Sequence, residues 1–71
     1  MRYMVAIERD EGSWGEHVPD LPGCVAAAET REEVVELIRE AIEFHLEGLR
    51  EEGEDAPQRH SDFEFVEVNA A

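Results

Sequence analysis

Carboxylates are the side chains of this sequence with the widest chemical potential, because 19 of its 71 residues are Asp or Glu. Carboxylate side chains that come together from several elements can bind two metal ions, and such a two-metal site can hydrolyse a phosphodiester. The candidates are Glu8, Asp10, Glu36, Glu40 and Asp62. At this density some acids must lie close together by chance, and a net charge of −13 repels a phosphate backbone. We therefore predict no catalytic residues.

The other possible nucleophiles and metal ligands are not spaced as in a catalytic triad or a metal-binding site. Ser13, Thr30 and Ser61 have no His and acid placed as a triad would require, although triads can assemble in space. Cys24 is the only cysteine, and no second His or Cys lies at metal-ligand spacing from His45. We predict no metal and no cofactor. His45 is interpreted as a hydrogen-bonded core or interface residue, with a ligand role as the open alternative.

The composition predicts one small domain with a protein partner. Seventy-one residues lie near the lower size at which a single core is sufficient. A lone cysteine favours a reducing compartment, and no apolar run approaches the ~20 residues of a membrane span, so we expect a soluble, cytoplasmic protein without a membrane role. The charge of −13 favours a basic protein over nucleic acid as partner. The alternative is that the charge only maintains solubility.

Three strands and one helix are predicted in the first 52 residues. Alternating apolar residues indicate strands over about 2–9 and 14–18, and a third, short strand over 24–29. Thr30 and Glu33 have the spacing of a capping box, so a helix should begin at Arg31 and run to about Glu52, before Gly53.

The helix has two faces of interest. Its apolar arc is roughly 200° wide, whereas one core needs about 100°. The polar arc carries four acids that we predict to be either a solvated face or the binding surface for a basic partner: Glu36, Glu40, Glu43 and Glu47.

The last segment, 62–68, alternates again and predicts a fourth strand. A strand after a helical crossover is placed most simply parallel to an earlier strand. One helix covers one face of such a sheet, and the wide arc and the second sheet face predict a homo-oligomer, most simply a dimer. The residues predicted to form its interface are Met4, Ala6, Leu37, Phe44, Val66 and Val68.

A motif in the middle of the chain carries a family resemblance. It is a rigid turn with two prolines, followed by a helix cap, and its residues are Pro19, Asp20, Leu21, Pro22, Gly23, Cys24, Thr30 and Glu33. A PDLPGC-type turn, a threonine cap and an acidic helix start resemble the HicB-like antitoxin family, over roughly 3–49. The sequence departs from that pattern at Ala28, Glu29 and Val34, where the family usually has glycine, aspartate and alanine.

The resemblance implies a fold and a function. The fold is α+β with βββαβ order: a four-stranded mixed sheet with one long helix on one face, similar to a truncated ribonuclease H fold. The function is a non-catalytic antitoxin that neutralises a small basic HicA-type, mRNA-cleaving toxin. Because the sequence ends at Ala71, we expect a short stand-alone form without the DNA-binding segment of many members. The alternatives are an oligomeric module with a non-toxin partner and a metal-dependent, ribonuclease H-like nuclease.

Overall fold

The computed structural model describes residues 1–69, which fold into an antiparallel sheet with one helix packed on it. The strands are β1 (Ala6–Asp10), β2 (Ser13–His17) and β3 (Val25–Ala28), in the order β1-β2-β3, and the helix is α1 (Arg31–Glu51). The predicted α+β class is confirmed.

The sheet is a meander whose register places one face against the helix. Ile7 pairs with Glu16, which pairs in turn with Ala26, so these three side chains lie on the same face. The helix packs on β3 and β2. The buried apolar side chains are few: Val18, Leu21, Cys24, Val34 and Ile38.

The turn between β2 and β3 is held by its own backbone. The Val18 amide donates to the Cys24 carbonyl at 3.1 Å, and the Leu21 amide donates back to the Val18 carbonyl at 3.0 Å. Gly23 has φ +87°, a conformation that a side chain would strain. This turn buries Leu21 completely, so the PDLPGC residues supply part of the core as well as the chain reversal.

The helix begins where its cap predicts. The Thr30 hydroxyl oxygen accepts a hydrogen bond from the Glu33 amide at 3.1 Å, and Arg31 is the first helical residue. The helix ends at Glu51, one residue before the predicted end, and Gly53 follows with φ +78°.

Two expectations about the strands differ from the structure. The predicted first strand, 2–9, begins only at Ala6, because its partner β2 ends at His17 opposite Ala6. Beyond His17 the Val18 amide bonds within the turn and Pro19 has no amide to donate. The predicted fourth strand, 62–68, is not confirmed: within residues 1–69 the sheet has three strands, and 54–69 contain no helix or strand.

Candidate protein-binding surface

Four glutamates form a continuous acidic line along the outer side of α1. At about 100° per residue, the positions 36, 40, 43 and 47 fall within an arc of roughly 60°. All four side chains are exposed. Arg39 lies beside this line, with its guanidinium 3.4 Å from the Glu36 carboxylate, and both groups are about two-thirds exposed. We call Glu36, Glu40, Glu43 and Glu47 the acidic ridge.

An apolar groove runs along one side of the acidic ridge. It has a volume of about 470 Å³ and lies between the N-terminal segment and α1. Glu43 and Arg39 border it, and its apolar lining comes from Tyr3, Val5, Val35, Ile38, Ile42 and Leu46. Charged residues around an apolar hollow resemble the polar rim and apolar centre of protein interfaces. We call this hollow the helix groove.

Exposed apolar side chains lie on the other side of the acidic ridge. Phe44 is 80% exposed and Leu37 is 43% exposed. The half-buried His45 lies nearby and lines a shallow hollow with Cys24 and Phe44. Burial raises the pKa of the Cys24 thiol, which favours its neutral form.

Asp20, within the two-proline turn, anchors a distant part of the chain. Its side chain is fully buried and accepts hydrogen bonds from the His60 amide at 3.1 Å, the Ser61 amide at 3.2 Å and the Ser61 hydroxyl at 2.6 Å. The His60 Nδ1 atom lies 2.9 Å from the same carboxylate. The Ser61 hydroxyl, followed by the two amides, lowers the pKa of Asp20 despite the opposing effect of burial. We call this set of contacts the Asp20 clamp.

A second anchor ties the same segment to the N-terminus, since the Tyr3 hydroxyl donates to the Pro57 carbonyl. The two anchors attach residues 57–61 to the body of the domain. The sequence predicts Asp20 as part of the turn motif and carries no signal of this long-range role.

Glu16 is a buried acid that the sequence patterns did not predict. It is 4% exposed, and its Oε2 atom has no hydrogen-bond partner within the described residues. Burial raises the pKa of Glu16, and the positive charge of Arg31 partly offsets this. The two-residue alternation of Trp14, Glu16 and Val18 is the signal that could have placed this side chain on the inward face.

The five candidate nuclease acids lie on three different parts of the structure. Glu8 and Asp10 belong to β1, Glu36 and Glu40 to α1, and Asp62 to the segment after the Asp20 clamp. Among residues 1–69, no group of three His, Cys, Asp or Glu side chains is arranged to hold a metal ion.

The predicted association residues lie in three parts of the structure. Leu37 and Phe44 flank the acidic ridge, whereas Val66 and Val68 lie after the Asp20 clamp and are 74% and 79% exposed. Met4 and Ala6 are half-buried and lie at the β1 side of the sheet. The structure therefore does not bring these six residues onto one face.

Comparison with known proteins decides the family. A family described as HicB_like antitoxin of bacterial toxin-antitoxin system matches residues 3–70. The chain belongs to the HicB-like antitoxin family. The resemblance inferred from the PDLPGC turn and the Thr30 cap is confirmed.

Three relatives show how this HicB-like chain compares in length. It is 36% identical over 63 residues to a UPF0150 protein of Thermoplasma acidophilum, covering 87% of this chain and 91% of that protein. It is 33% identical over 75 aligned positions to Antitoxin HicB 2 of Photorhabdus laumondii, covering 100% of this chain but 52% of that protein. It is 35% identical over 66 residues to a 14.9 kDa protein of Haemophilus phage HP1, covering 93% of this chain and 50% of that protein.

The HicB-like chain thus spans about half the length of two of these relatives and nearly all of the third. No solved structure gives a significant match. Over residues 1–69 of this HicB-like domain, no helix is both long and apolar enough to cross a bilayer.

Proposed function

We propose that this chain is an antitoxin that binds and neutralises a small basic, RNA-cleaving toxin of the HicA type. Membership of the HicB-like family and the relative named Antitoxin HicB 2 support a toxin partner. The net charge of −13 supports a basic one. The observation that carries the proposal is the acidic ridge beside the helix groove, because it offers charge complementarity and an apolar hollow on one exposed helix face.

The two parts of this surface have different physical roles. Exposed carboxylates attract a basic partner over a distance of about 10 Å at 0.1 M salt and accelerate its approach. An apolar side chain of the partner that enters the helix groove loses contact with water, which slows dissociation. The ridge therefore governs the on-rate and the groove governs the lifetime of the complex.

Charge reversal on the ridge tests this assignment. We expect Glu40→Arg/Glu47→Arg to reduce the association rate with the basic toxin on the order of tenfold at low salt, and much less at 1 M salt, where the screening length is about 3 Å. The domain should remain folded, because both side chains are exposed and the changes relieve like-charge repulsion. Stopped-flow association kinetics over a salt series provide the measurement.

A matched control separates the ridge from the total charge. Glu8 and Glu11 are also exposed but lie on the hairpin of β1 and β2. Glu8→Arg/Glu11→Arg changes the net charge by the same amount and should change the association rate far less. Equal effects of the two double variants would show that total charge, and not the ridge, attracts the toxin.

The proposal extends to assembly, fold and location. We propose that the chain forms a homo-oligomer, because few apolar side chains are buried while large ones such as Phe44, Phe65 and Val66 stay exposed. We propose that a fourth strand at 62–68 completes a ribonuclease H-like sheet. We also propose that the protein is cytoplasmic and binds no nucleic acid directly. These follow from the family resemblance, the lone cysteine and the acidic charge.

One observation favours a second candidate function. The Thermoplasma UPF0150 protein is matched over 91% of its length. A relative of about this length supports a small binding module as the second candidate. In this second candidate the domain is an oligomeric binding module with a partner other than a toxin. A folded protein that associates with itself but does not bind the basic toxin would favour this second candidate.

A further inference from the structure

A basic hollow lies between the N-terminal segment, the start of α1 and the part of the chain around the Asp20 clamp. Its volume is about 680 Å³, within the range of roughly 300–1,000 Å³ that small-molecule sites occupy. The charged residues of its lining are Arg2, Arg31, Arg59 and Glu64. Three positive charges against one negative charge give this hollow a net charge of +2, in a chain of net charge −13. We call it the arginine hollow.

The three arginines of this hollow form no ion pair with the acids of residues 1–69. The two ion pairs in that part of the chain involve Arg39 and His60 instead. Acids are abundant in the sequence, yet half of its six arginines line one hollow without such a partner. The charge of one of them, Arg31, also acts on the buried Glu16. Guanidinium groups that lie near one another repel, and an anion that binds among them relieves this repulsion.

The rest of the lining is mostly apolar and aromatic. It consists of residues 3–7 together with Phe63 and Phe65. The two phenylalanines are 66% and 89% exposed, and their rings meet edge to face with centroids 5.8 Å apart. An aromatic or apolar group that covers these rings removes their surface and its own from water. The lining therefore matches a ligand that joins an anionic head to an aromatic or apolar body.

Several contacts position the walls of the arginine hollow. The Asp20 clamp fixes the chain directly after Arg59. The Tyr3 hydroxyl donates to the Pro57 carbonyl, which ties the N-terminal wall to the same part of the chain. Arg31 is the first residue of α1, whose start is fixed by the helix cap. A site whose walls are already positioned loses less conformational freedom when a ligand binds.

We propose that the arginine hollow binds a small organic anion, with a carboxylate or phosphate head among the guanidinium groups and an aromatic or apolar body against Phe63 and Phe65. Arginine suits this role because its planar fork donates two parallel hydrogen bonds to either head group. The strongly acidic remainder of the surface repels anions, which directs such a ligand to this hollow. The inference concerns a different surface from the acidic ridge and does not rest on the proposed toxin.

Titration with three matched naphthalene compounds, followed by amide chemical shifts in NMR spectra, tests the ligand class. Naphthoate carries a carboxylate, naphthyl phosphate carries a phosphate, and naphthol is uncharged at neutral pH. The better of the two anions should bind about tenfold more tightly than naphthol, and its head group identifies the natural one. The largest shifts should fall on residues 2–7 and 63–65. Equal binding of all three compounds, or shifts centred on the helix groove or Phe44, would contradict the proposal.

Two double variants of equal charge test the arginines themselves. Arg2→Gln/Arg59→Gln should weaken binding of the preferred anion about tenfold, because two of the three positive charges are lost, and should leave naphthol binding unchanged. Arg9→Gln/Arg50→Gln removes two exposed arginines that do not line the hollow and should retain the wild-type affinity. All four side chains are exposed, so both variants should keep the helix signal in circular dichroism. Wild-type affinity in the first variant, or an equal loss in the second, would overturn the site.

Discussion

Asp20→Ala should release residues 60–61 from the domain while the helix persists. The variant removes a buried carboxylate that accepts three hydrogen bonds from His60 and Ser61. Hydrogen exchange should show that these two amides lose their protection, and a protease should cut the chain after Gly53 far faster than in the wild type. The effect should be large because one side chain forms all of these contacts.

Two controls define the Asp20 clamp. Asp10 is exposed, and its carboxylate accepts a hydrogen bond from the adjacent Glu11 amide at 2.8 Å. Asp10→Ala should therefore leave protection after Gly53 unchanged, and Ser61→Ala, which removes only the hydroxyl, should have an intermediate effect. Unchanged protection of His60 and Ser61 in Asp20→Ala would show that other contacts hold this segment.

The Asp20 clamp also has a defined pH dependence. The pKa of Asp20 is lower in the folded protein than its ordinary value of 3.8. Its contribution to stability is therefore fully present above that value and is lost as the pH falls through the lower folded pKa. Protection of Ser61 should accordingly persist at pH 5 and decline only in stronger acid.

Glu16→Leu should make the domain more stable at pH 7, by about 1–3 kcal/mol, the usual cost of a buried polar group without a partner. Glu16 is 4% exposed, and its Oε2 atom has no hydrogen-bond partner within the described residues. Leucine has a similar volume and places apolar atoms against the neighbouring side chains. Denaturant titration followed by circular dichroism measures the free energy of unfolding.

The contribution of Glu16 to stability should depend on pH in a direction opposite to that of Asp20. The pKa of Glu16 is raised above its ordinary value of 4.5, so protonation favours the folded state. Glu16 should thus destabilise the wild type least below pH 4.5. The difference in free energy of unfolding between wild type and variant should grow as the pH rises through the folded pKa of Glu16. Glu8→Leu, an exposed position on the neighbouring strand, should change stability little and without this pH dependence. A destabilised Glu16→Leu at pH 7 would show that Arg31 or bound water stabilises the charged form.

Local sequence patterns predicted much of the fold because helix capping and turn formation depend on residues close together in the chain. The helix start follows from Thr30 and Glu33, and the chain reversal follows from two prolines and Gly23, whose backbone preferences need no distant partner. The acidic ridge was predictable for the same reason, since helical periodicity alone places four glutamates on one side.

Long-range contacts were not predictable in this way. The Asp20 clamp joins positions 40 residues apart, and an aspartate in a turn motif gives no sign of its distant partners. The strand pattern of 62–68 is clear in the sequence, but alternation does not specify which edge, or which chain, supplies its neighbour. The association residues on the helix flank and on the second sheet face stay a prediction for the same reason, because periodicity does not show what covers either surface.

We propose that this HicB-like domain neutralises a small basic, RNA-cleaving protein. The most direct test looks for a small basic protein in the reading frame beside the gene of this chain, purifies it and follows its cleavage of RNA while this chain is titrated in. We predict that cleavage falls in proportion to the added chain and stops near equimolar amounts, with a complex that co-elutes in gel filtration. Undiminished cleavage in the presence of a large excess of folded protein, without a co-eluting complex, would contradict the account.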